Sequence, residues 1–99
     1  NYSYAASKAG LHHLSKTLVR PLAGHNININ TIAPGPFSTD MMAPMKEGGW
    51  SDAVTSAVPL NRFGEAEDIV GTAIFLASPA SSYITGATIP VDGGMSGST

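Results

Sequence analysis

Two β-branched segments separated by a helical stretch constrain the fold of this chain most strongly. Residues 27–33 and 87–91 are both rich in isoleucine, valine and threonine, which is typical of strands. Between them, residues 66–77 place their apolar side chains at helical spacing. Two strands joined through a helix are expected to pair in parallel, with a right-handed connection. The sequence therefore predicts an α/β fold.

A longer helix is predicted at the start of the chain, over residues 3–23. Ser3 has the side chain of an N-cap, and Gly24 is expected to end the helix. Pro21 should kink or end the last turn, because proline has no N–H to donate within a helix. The helix leads into the first predicted strand, which ends at a Pro-Gly-Pro sequence from Pro34.

The segment between the first strand and the second helix has no regular pattern. Residues 37–61 contain a pair of glycines and Trp50, and a loop of this length in a small domain is typically a lid or a binding loop. A short helix is expected within it, over about residues 47–57. Trp50 could either fill the core beneath the lid or form a wall of a substrate site. The second strand contains Pro90, which is expected at a sheet edge.

The composition excludes several classes of protein. The 99 residues fit one small domain, and 42% hydrophobic with 12% charged residues is a globular rather than a disordered composition. A net charge of −2 without a basic block favours neither nucleic acid nor membrane as a partner. The lack of cysteine excludes disulfides and fits a cytoplasmic protein. No residues have the spacing of a metal site, so no metal is expected.

Tyr4 and Lys8 are the residues that could carry chemistry. They are four residues apart on the predicted helix, so the phenol and the ammonium share one face. A neighbouring ammonium favours the phenolate, and a phenol in that position can donate or accept a proton. The lysine also lies in an otherwise apolar stripe, which is costly unless its charge has a partner. By itself, however, the spacing favours a chance pair over a functional one.

Motifs along the whole chain resemble the short-chain dehydrogenase/reductase family. Tyr4 to Ala9 is similar to the family's active-site helix, and residues 28–35 are similar to the strand that follows it, including the terminal Pro-Gly. Residues 34–39 match its Pro-Gly-x-x-x-Thr segment. The Arg-x-Gly at residues 62–64 and the stretch from Phe75 to Gly94 follow in the same order. Five linked motifs in this order are specific.

The resemblance implies roles for the opening pair. Tyr4 would be the catalytic general acid/base, which protonates the carbonyl oxygen in reduction or takes the hydroxyl proton in oxidation. Lys8 would assist the ionisation of the tyrosine and bind the nicotinamide ribose hydroxyls. Both residues would therefore be catalytic and would also contact an NAD or NADP cofactor.

The resemblance also implies a cofactor-binding segment after the first strand. Pro34 and Gly35 would let the backbone approach the nicotinamide, the backbone of Phe37 would meet the carboxamide, and the hydroxyl of Thr39 would reach polar groups of the cofactor. The lid would cover a small carbonyl or alcohol substrate. Among the branches of the family, the chain resembles reductases of the 3-oxoacyl-carrier-protein type and broad-range alcohol dehydrogenases.

The same resemblance predicts a domain organisation. Residues 1–99 would be the C-terminal half of a Rossmann-like, doubly wound parallel sheet, in the order helix, strand, lid, helix and strand, without the glycine-rich cofactor-binding half. We therefore expect the 99 residues alone to be inactive and the complete protein to be a homo-oligomer. The alternative is an inactive fragment that only self-associates, through Ala5 and Ala9 or the edge strand, or that binds its missing half.

Overall fold

The secondary structure follows the predicted order of elements. The computed structural model describes residues 2–38 and 49–99. The elements in chain order are the helices and strands α1 (Tyr2–Thr17), α2 (Val19–Ala23), β1 (Thr31–Pro34), α3 (Trp50–Ser56), α4 (Ala66–Leu76) and β2 (Thr88–Val91), with a 3₁₀ turn at Pro79–Ser81 before the last strand.

The first predicted helix is divided into two. α1 ends at Thr17 and α2 begins at Val19, with the break at Leu18. Pro21 explains the position of the break, because a proline ring clashes with the carbonyl four residues earlier, which is that of Thr17. The helix ends before Gly24, as predicted. The prediction of Ser3 as the N-cap is wrong, since Ser3 lies within α1.

The two strands form a parallel sheet, which confirms the predicted pairing. Thr31 lies opposite Thr88, and Pro34 lies opposite Val91. β1 is shorter than the predicted strand over residues 27–33, because side chains take over part of the backbone hydrogen bonding before Thr31. Ile29 N donates to Thr85 Oγ1 at 3.1 Å, and Asn30 bonds through both ends of its amide, from Nδ2 to the Ile84 carbonyl and from the Ala87 N–H to Oδ1.

The two later helices are close to their predicted positions. α4 ends one residue before the predicted end at residue 77, and Pro79 opens the 3₁₀ turn that follows. α3 lies within the predicted range of 47–57 and begins at Trp50. In the part of the chain that the structure describes, none of these helices combines the length and the apolar character that crossing a membrane requires.

The apolar surface of the described residues is largely uncovered. Val58, at 3% exposure, is the one buried hydrophobic residue among them, and it packs beneath Gly93. The apolar stripe of α1 lies open at Leu11 and Leu14, and α4 is open at Val70 and Ile74. The Cα radius of gyration is 16.0 Å, against roughly 13 Å for a compact domain of about 100 residues. Among the described residues, the apolar faces of α1 and α4 therefore lack a covering layer.

Candidate functional site

Tyr4 and Lys8 lie together on α1, as their spacing predicts. The Lys8 ammonium lies 5.4 Å from the centroid of the Tyr4 ring, which is within the range of a cation–π interaction. Tyr4 is 62% exposed, so its phenol is accessible from solvent. Ser7 Oγ donates to the Tyr4 carbonyl at 2.9 Å within the same turn. The helix thus holds a phenol and an ammonium side by side on an open surface.

The far end of α1 is attached to the amino ends of the strands. Ser15 Oγ lies 3.5 Å from Thr31 Oγ1, and Lys16 Nζ donates to the Gly86 carbonyl at 3.0 Å. Lys16 is twelve residues beyond Tyr4, which corresponds to about 18 Å along a helix. The sheet therefore fixes one end of α1, while the Tyr4–Lys8 pair lies at the other end.

The Pro-Gly sequence after β1 lies tightly against the segment after β2. Gly35 N donates to the Val91 carbonyl at 3.0 Å, which extends the parallel pairing by one bond. A Cβ at Gly35 would lie 2.6 Å from the Cβ and 2.8 Å from the Cα of Asp92. Only glycine permits this approach, so Gly35 has a packing role in addition to the role that the resemblance implies.

Phe37 continues the same edge and pairs with Gly64, which precedes α4. The two residues form a parallel bridge, with Gly64 N donating to the Pro36 carbonyl at 2.9 Å and Ser38 N donating to the Gly64 carbonyl at 2.8 Å. The Phe37 ring lies directly on Gly64, since a Cβ there would be 2.6 Å from Cε2 of the ring. The backbone of Phe37 is thus held from one side by a second segment of the chain.

That second segment carries an ion pair. Arg62 donates to both carboxylate oxygens of Asp68, from Nη1 at 2.9 Å and from Nη2 at 3.2 Å, and Nη1 also donates to the Phe63 carbonyl. The Glu65 N–H donates to Asp68 Oδ2 at 2.7 Å, which is one half of a capping box at the start of α4. The hydrogen bonds from Arg62, followed by the one from Glu65, lower the pKa of Asp68 to about 2.

The ion pair makes stability depend on pH in the acid range. Because its pKa is lowered on folding, Asp68 stabilises the native state above its ordinary pKa, and this contribution is lost as the pH falls through about 2. Unfolding midpoints in urea, measured at several values between about pH 5 and about pH 2, should fall less steeply for Asp68→Asn than for the wild type. Glu67→Gln, which removes a charge from the same turn, should keep the wild-type slope, and equal slopes for all three proteins would contradict the assignment.

The turn after β2 is closed by a second carboxylate. Asp92 accepts hydrogen bonds from Ser96 Oγ at 2.6 Å, Ser96 N at 3.1 Å and Gly94 N at 3.0 Å, which lower its pKa. Gly93 and Gly94 have φ values of 64° and 94°, a conformation that favours glycine. The Asp-Gly-Gly sequence is therefore a fixed turn, and it supports the approach of Gly35.

These segments surround a cavity of about 220 Å³. Its lining includes Phe37, Arg62, Gly64 and Asp68 together with the Asp92 turn. Ligand sites for drug-sized molecules usually measure about 300–1,000 Å³. The described residues therefore enclose room for one chemical group rather than for a whole dinucleotide.

The structure describes most, but not all, of the residues that the sequence singles out. Pro34, Gly35 and Phe37 follow one another along a single edge, while Thr39 lies outside the described residues, as does the middle of the predicted lid. Trp50 is not the buried core residue of one interpretation; it is partly exposed and stacks on Phe63 at 6.5 Å between ring centroids. Among the residues described, no three histidine or acidic side chains come together as metal ligands.

The Arg62–Asp68 pair is the feature that sequence reasoning missed. Arg62 and Asp68 are six residues apart, on either side of a turn. Neither helical nor strand periodicity predicts a contact at that separation. The Glu-x-x-Asp spacing of residues 65 and 68 was the available signal, since it resembles a capping box.

Comparison with known proteins identifies the family. The family model described as enoyl-(acyl carrier protein) reductase matches residues 1–96. The 3-oxoacyl-[acyl-carrier-protein] reductase FabG of Thermotoga maritima is 45% identical over 93 residues, which are 94% of this chain and 37% of that protein. Galactitol 2-dehydrogenase of Cereibacter sphaeroides is 42% identical over 97 residues, covering 93% of this chain and 37% of that protein. The chain thus spans a little over one third of the length of these curated relatives.

Solved structures share the fold as well as the sequence. The active-site complex of Pseudomonas aeruginosa RhlG with NADP superposes with a TM-score of 0.83 at 41% identity, over 95% of this chain and 38% of that one. A blue fluorescent protein from a metagenomic library, in complex with NADPH, superposes with a TM-score of 0.82 at 40% identity. The match covers 93% of this chain and 36% of that one. These neighbours confirm the predicted α/β, Rossmann-type fold. With the family match over residues 1–96, they show that the chain belongs to the short-chain dehydrogenase/reductase family.

Proposed function

We propose that the protein is an NAD(P)-dependent oxidoreductase that transfers a hydride between nicotinamide and a carbonyl or secondary alcohol. The observation that carries this proposal is the Tyr4–Lys8 pair, with its ammonium 5.4 Å from the phenol ring. The relatives support a substrate of the 3-oxoacyl-carrier-protein type, since several similar proteins carry that name. The reacting part of the substrate is then a small carbonyl or alcohol group.

The pair performs the proton transfer in this proposal. In reduction, the Tyr4 hydroxyl donates its proton to the carbonyl oxygen as the carbonyl carbon is reduced, and in oxidation the phenolate takes the proton of the alcohol. Lys8 lies beside the phenol, with its ammonium 5.4 Å from the ring centroid, and its three donors would hold the ribose hydroxyls next to Tyr4. When bound, the nicotinamide supplies or accepts the hydride.

The segment after β1 fits a nicotinamide. Its carboxamide carries a donor and an acceptor, which match the N–H and C=O of an extended peptide. Pro34, Gly35 and Phe37 provide such a peptide edge at the carboxyl end of β1, where α/β sheets bind their ligands. In this proposal Tyr4 and Lys8 contact the ribose, and Thr39 joins the same site.

We propose that residues 1–99 supply the acid–base and nicotinamide-facing part of the domain, with a substrate lid at about residues 37–61. The glycine-rich turn that typically holds a pyrophosphate would then come from outside these residues. On that reasoning, the 99 residues alone should neither turn over substrate nor bind a nicotinamide cofactor measurably. Calorimetric titration of the 99-residue chain with NADPH and NADH would contradict this by giving a micromolar Kd.

A second candidate function, self-association, has an observation of its own. The exposed apolar residues of α1 and α4 form surfaces that soluble monomers rarely leave open. The small residues Ala5 and Ala9 on α1 would allow another helix to approach closely, and β2 has an edge at Pro90. Light scattering distinguishes the cases, because a monodisperse monomer at micromolar concentration would exclude self-association by the chain alone.

The oxidoreductase proposal is tested on the protein in full length, as its gene encodes it. Oxidation of NADPH and of NADH is followed with a panel of carbonyl substrates that includes a 3-oxoacyl thioester. Turnover of the thioester above that of simple ketones is the expected result. Failure to oxidise either cofactor with any substrate would overturn the proposal. If sugars in the panel were the only substrates turned over, the proposed substrate class would change to that of relatives such as galactitol 2-dehydrogenase.

A further inference from the structure

The Arg62–Asp68 pair is more elaborate than a surface ion pair needs to be. Its side chains are 53% and 29% exposed, and exposed pairs generally contribute little to stability. The geometry is nevertheless bidentate, and the same carboxylate also accepts from the Glu65 N–H. Both side chains line the cavity beside Phe37. The pair therefore fixes a short loop, residues 62–65, at a place where its position affects the site.

The loop transmits this constraint to Phe37 through Gly64. The Gly64 peptide bonds to both neighbours of Phe37, by its N–H to the Pro36 carbonyl and by its carbonyl to the Ser38 N–H. The Phe37 ring also rests on the Gly64 Cα, at a distance that no side chain at residue 64 would permit. A shift of the loop would therefore move the Phe37 backbone with it.

The bridge leaves the polar groups of Phe37 on the opposite edge. In a parallel bridge, one residue bonds to the two neighbours of its partner, so neither bond uses the N–H or C=O of Phe37 itself. These two groups point away from Gly64. An N–H and a C=O on one edge form a donor–acceptor pair that is complementary to a planar carboxamide.

We propose that Arg62 and Asp68 are positioning residues for the cofactor: through Gly64, they hold the Phe37 peptide in the orientation that binds the nicotinamide carboxamide. This inference rests on the proposed function. It assigns to the pair no contact with substrate and no part in proton transfer. It predicts that breaking the pair weakens recognition of the nicotinamide end of the cofactor alone.

The test uses Asp68→Asn and Arg62→Lys in the full-length protein. Asparagine preserves shape without the charge, and lysine keeps the charge but cannot form the bidentate contact. Glu67→Gln is the matched control, since it removes a charge from the same helical turn. Dissociation constants are measured for NADPH and NADH. They are also measured for ADP-ribose and for its 2′-phosphate, two ligands that lack the nicotinamide. Amide hydrogen exchange is measured at Ser38 and Gly64.

Both variants are expected to weaken binding of the wild type's preferred cofactor about tenfold, the order of one hydrogen bond between the Phe37 peptide and the carboxamide. They should leave the binding of ADP-ribose unchanged, raise KM for the cofactor more than they lower kcat, and speed exchange at Ser38 and Gly64. The control should match the wild type throughout. The double variant should be no worse than either single one, because one interaction is lost in each case.

Equal losses for the cofactor and for ADP-ribose would show a general structural role and overturn the inference. Unchanged cofactor binding in both variants would also overturn it, while leaving the proposed function intact. A wild type that binds no nicotinamide cofactor would instead refute the proposed function, and this inference with it. The three results can be told apart because the dissociation constant of the wild type is measured first. That value decides whether a nicotinamide cofactor binds at all, before the variants are compared.

Discussion

Replacing Tyr4 by phenylalanine should lower kcat of the full-length protein by at least about 100-fold, the usual lower bound for general acid–base catalysis. The substitution removes the one proton that the proposed mechanism transfers and leaves the aromatic ring in place. The cation–π contact to Lys8, at 5.4 Å from the ring centroid, needs only the ring and should persist. Affinity for NAD(P)H should therefore change little. Steady-state kinetics with cofactor titration would measure both effects.

Tyr2→Phe is the matched control for this experiment. Tyr2 lies on the same helix two residues before Tyr4 and is 97% exposed, and its replacement by phenylalanine removes the same hydroxyl group. Its turnover should equal that of the wild type. If Tyr4→Phe kept wild-type kcat, the acid–base assignment would be wrong, and if both variants lost activity equally, the effect would be one of helix α1 rather than of the phenol.

Gly35→Ala should be strongly destabilising, because a side chain at this position has no room beside the turn after β2. The new methyl group would lie 2.6 Å from the Cβ and 2.8 Å from the Cα of Asp92. Neither atom can move away easily, because the Asp92 turn is closed by hydrogen bonds from Gly94 and Ser96. We expect the free energy of unfolding to fall by about 1–3 kcal/mol, as overpacking in a closed site usually costs. Urea unfolding, followed by circular dichroism, would measure this loss.

Gly10→Ala provides the contrasting substitution. Gly10 lies within α1, and a Cβ there would meet nothing within 4 Å. Alanine at an exposed helix position should stabilise the protein by about 0.5–1 kcal/mol relative to glycine. Equal effects of the two substitutions, in sign and size, would refute the packing argument at Gly35.

The sequence predicted the elements of this fold better than their ends. The parallel pairing followed from two β-branched segments on either side of a helix, and the structure has it. The start of β1 was predicted four residues too early, because Asn28 and Asn30 lie in an apparently alternating pattern. Their amides bond to the carbonyls of Ser82 and Ile84 instead. Periodicity cannot reveal which distant carbonyl a side chain will reach.

In the site, as in the fold, contacts between neighbouring residues were predicted from the sequence and contacts between distant segments were not. The Tyr4–Lys8 pair depends on helical spacing alone, and the structure brings the two side chains together as predicted. The bridge between Phe37 and Gly64 joins segments that are 27 positions apart in the sequence numbering. No local pattern specifies such a contact. The resemblance to a family indicated that both segments matter but not that they touch.

The stacking of Trp50 on Phe63 gives the protein an optical reporter. Trp50 is the only tryptophan in the chain, so its emission comes from a single place. Its ring lies 6.5 Å from that of Phe63, which is joined on either side to Arg62 and Gly64. Displacement of the loop at residues 62–65 and unfolding of the 99-residue chain can thus be followed in real time without attaching a dye.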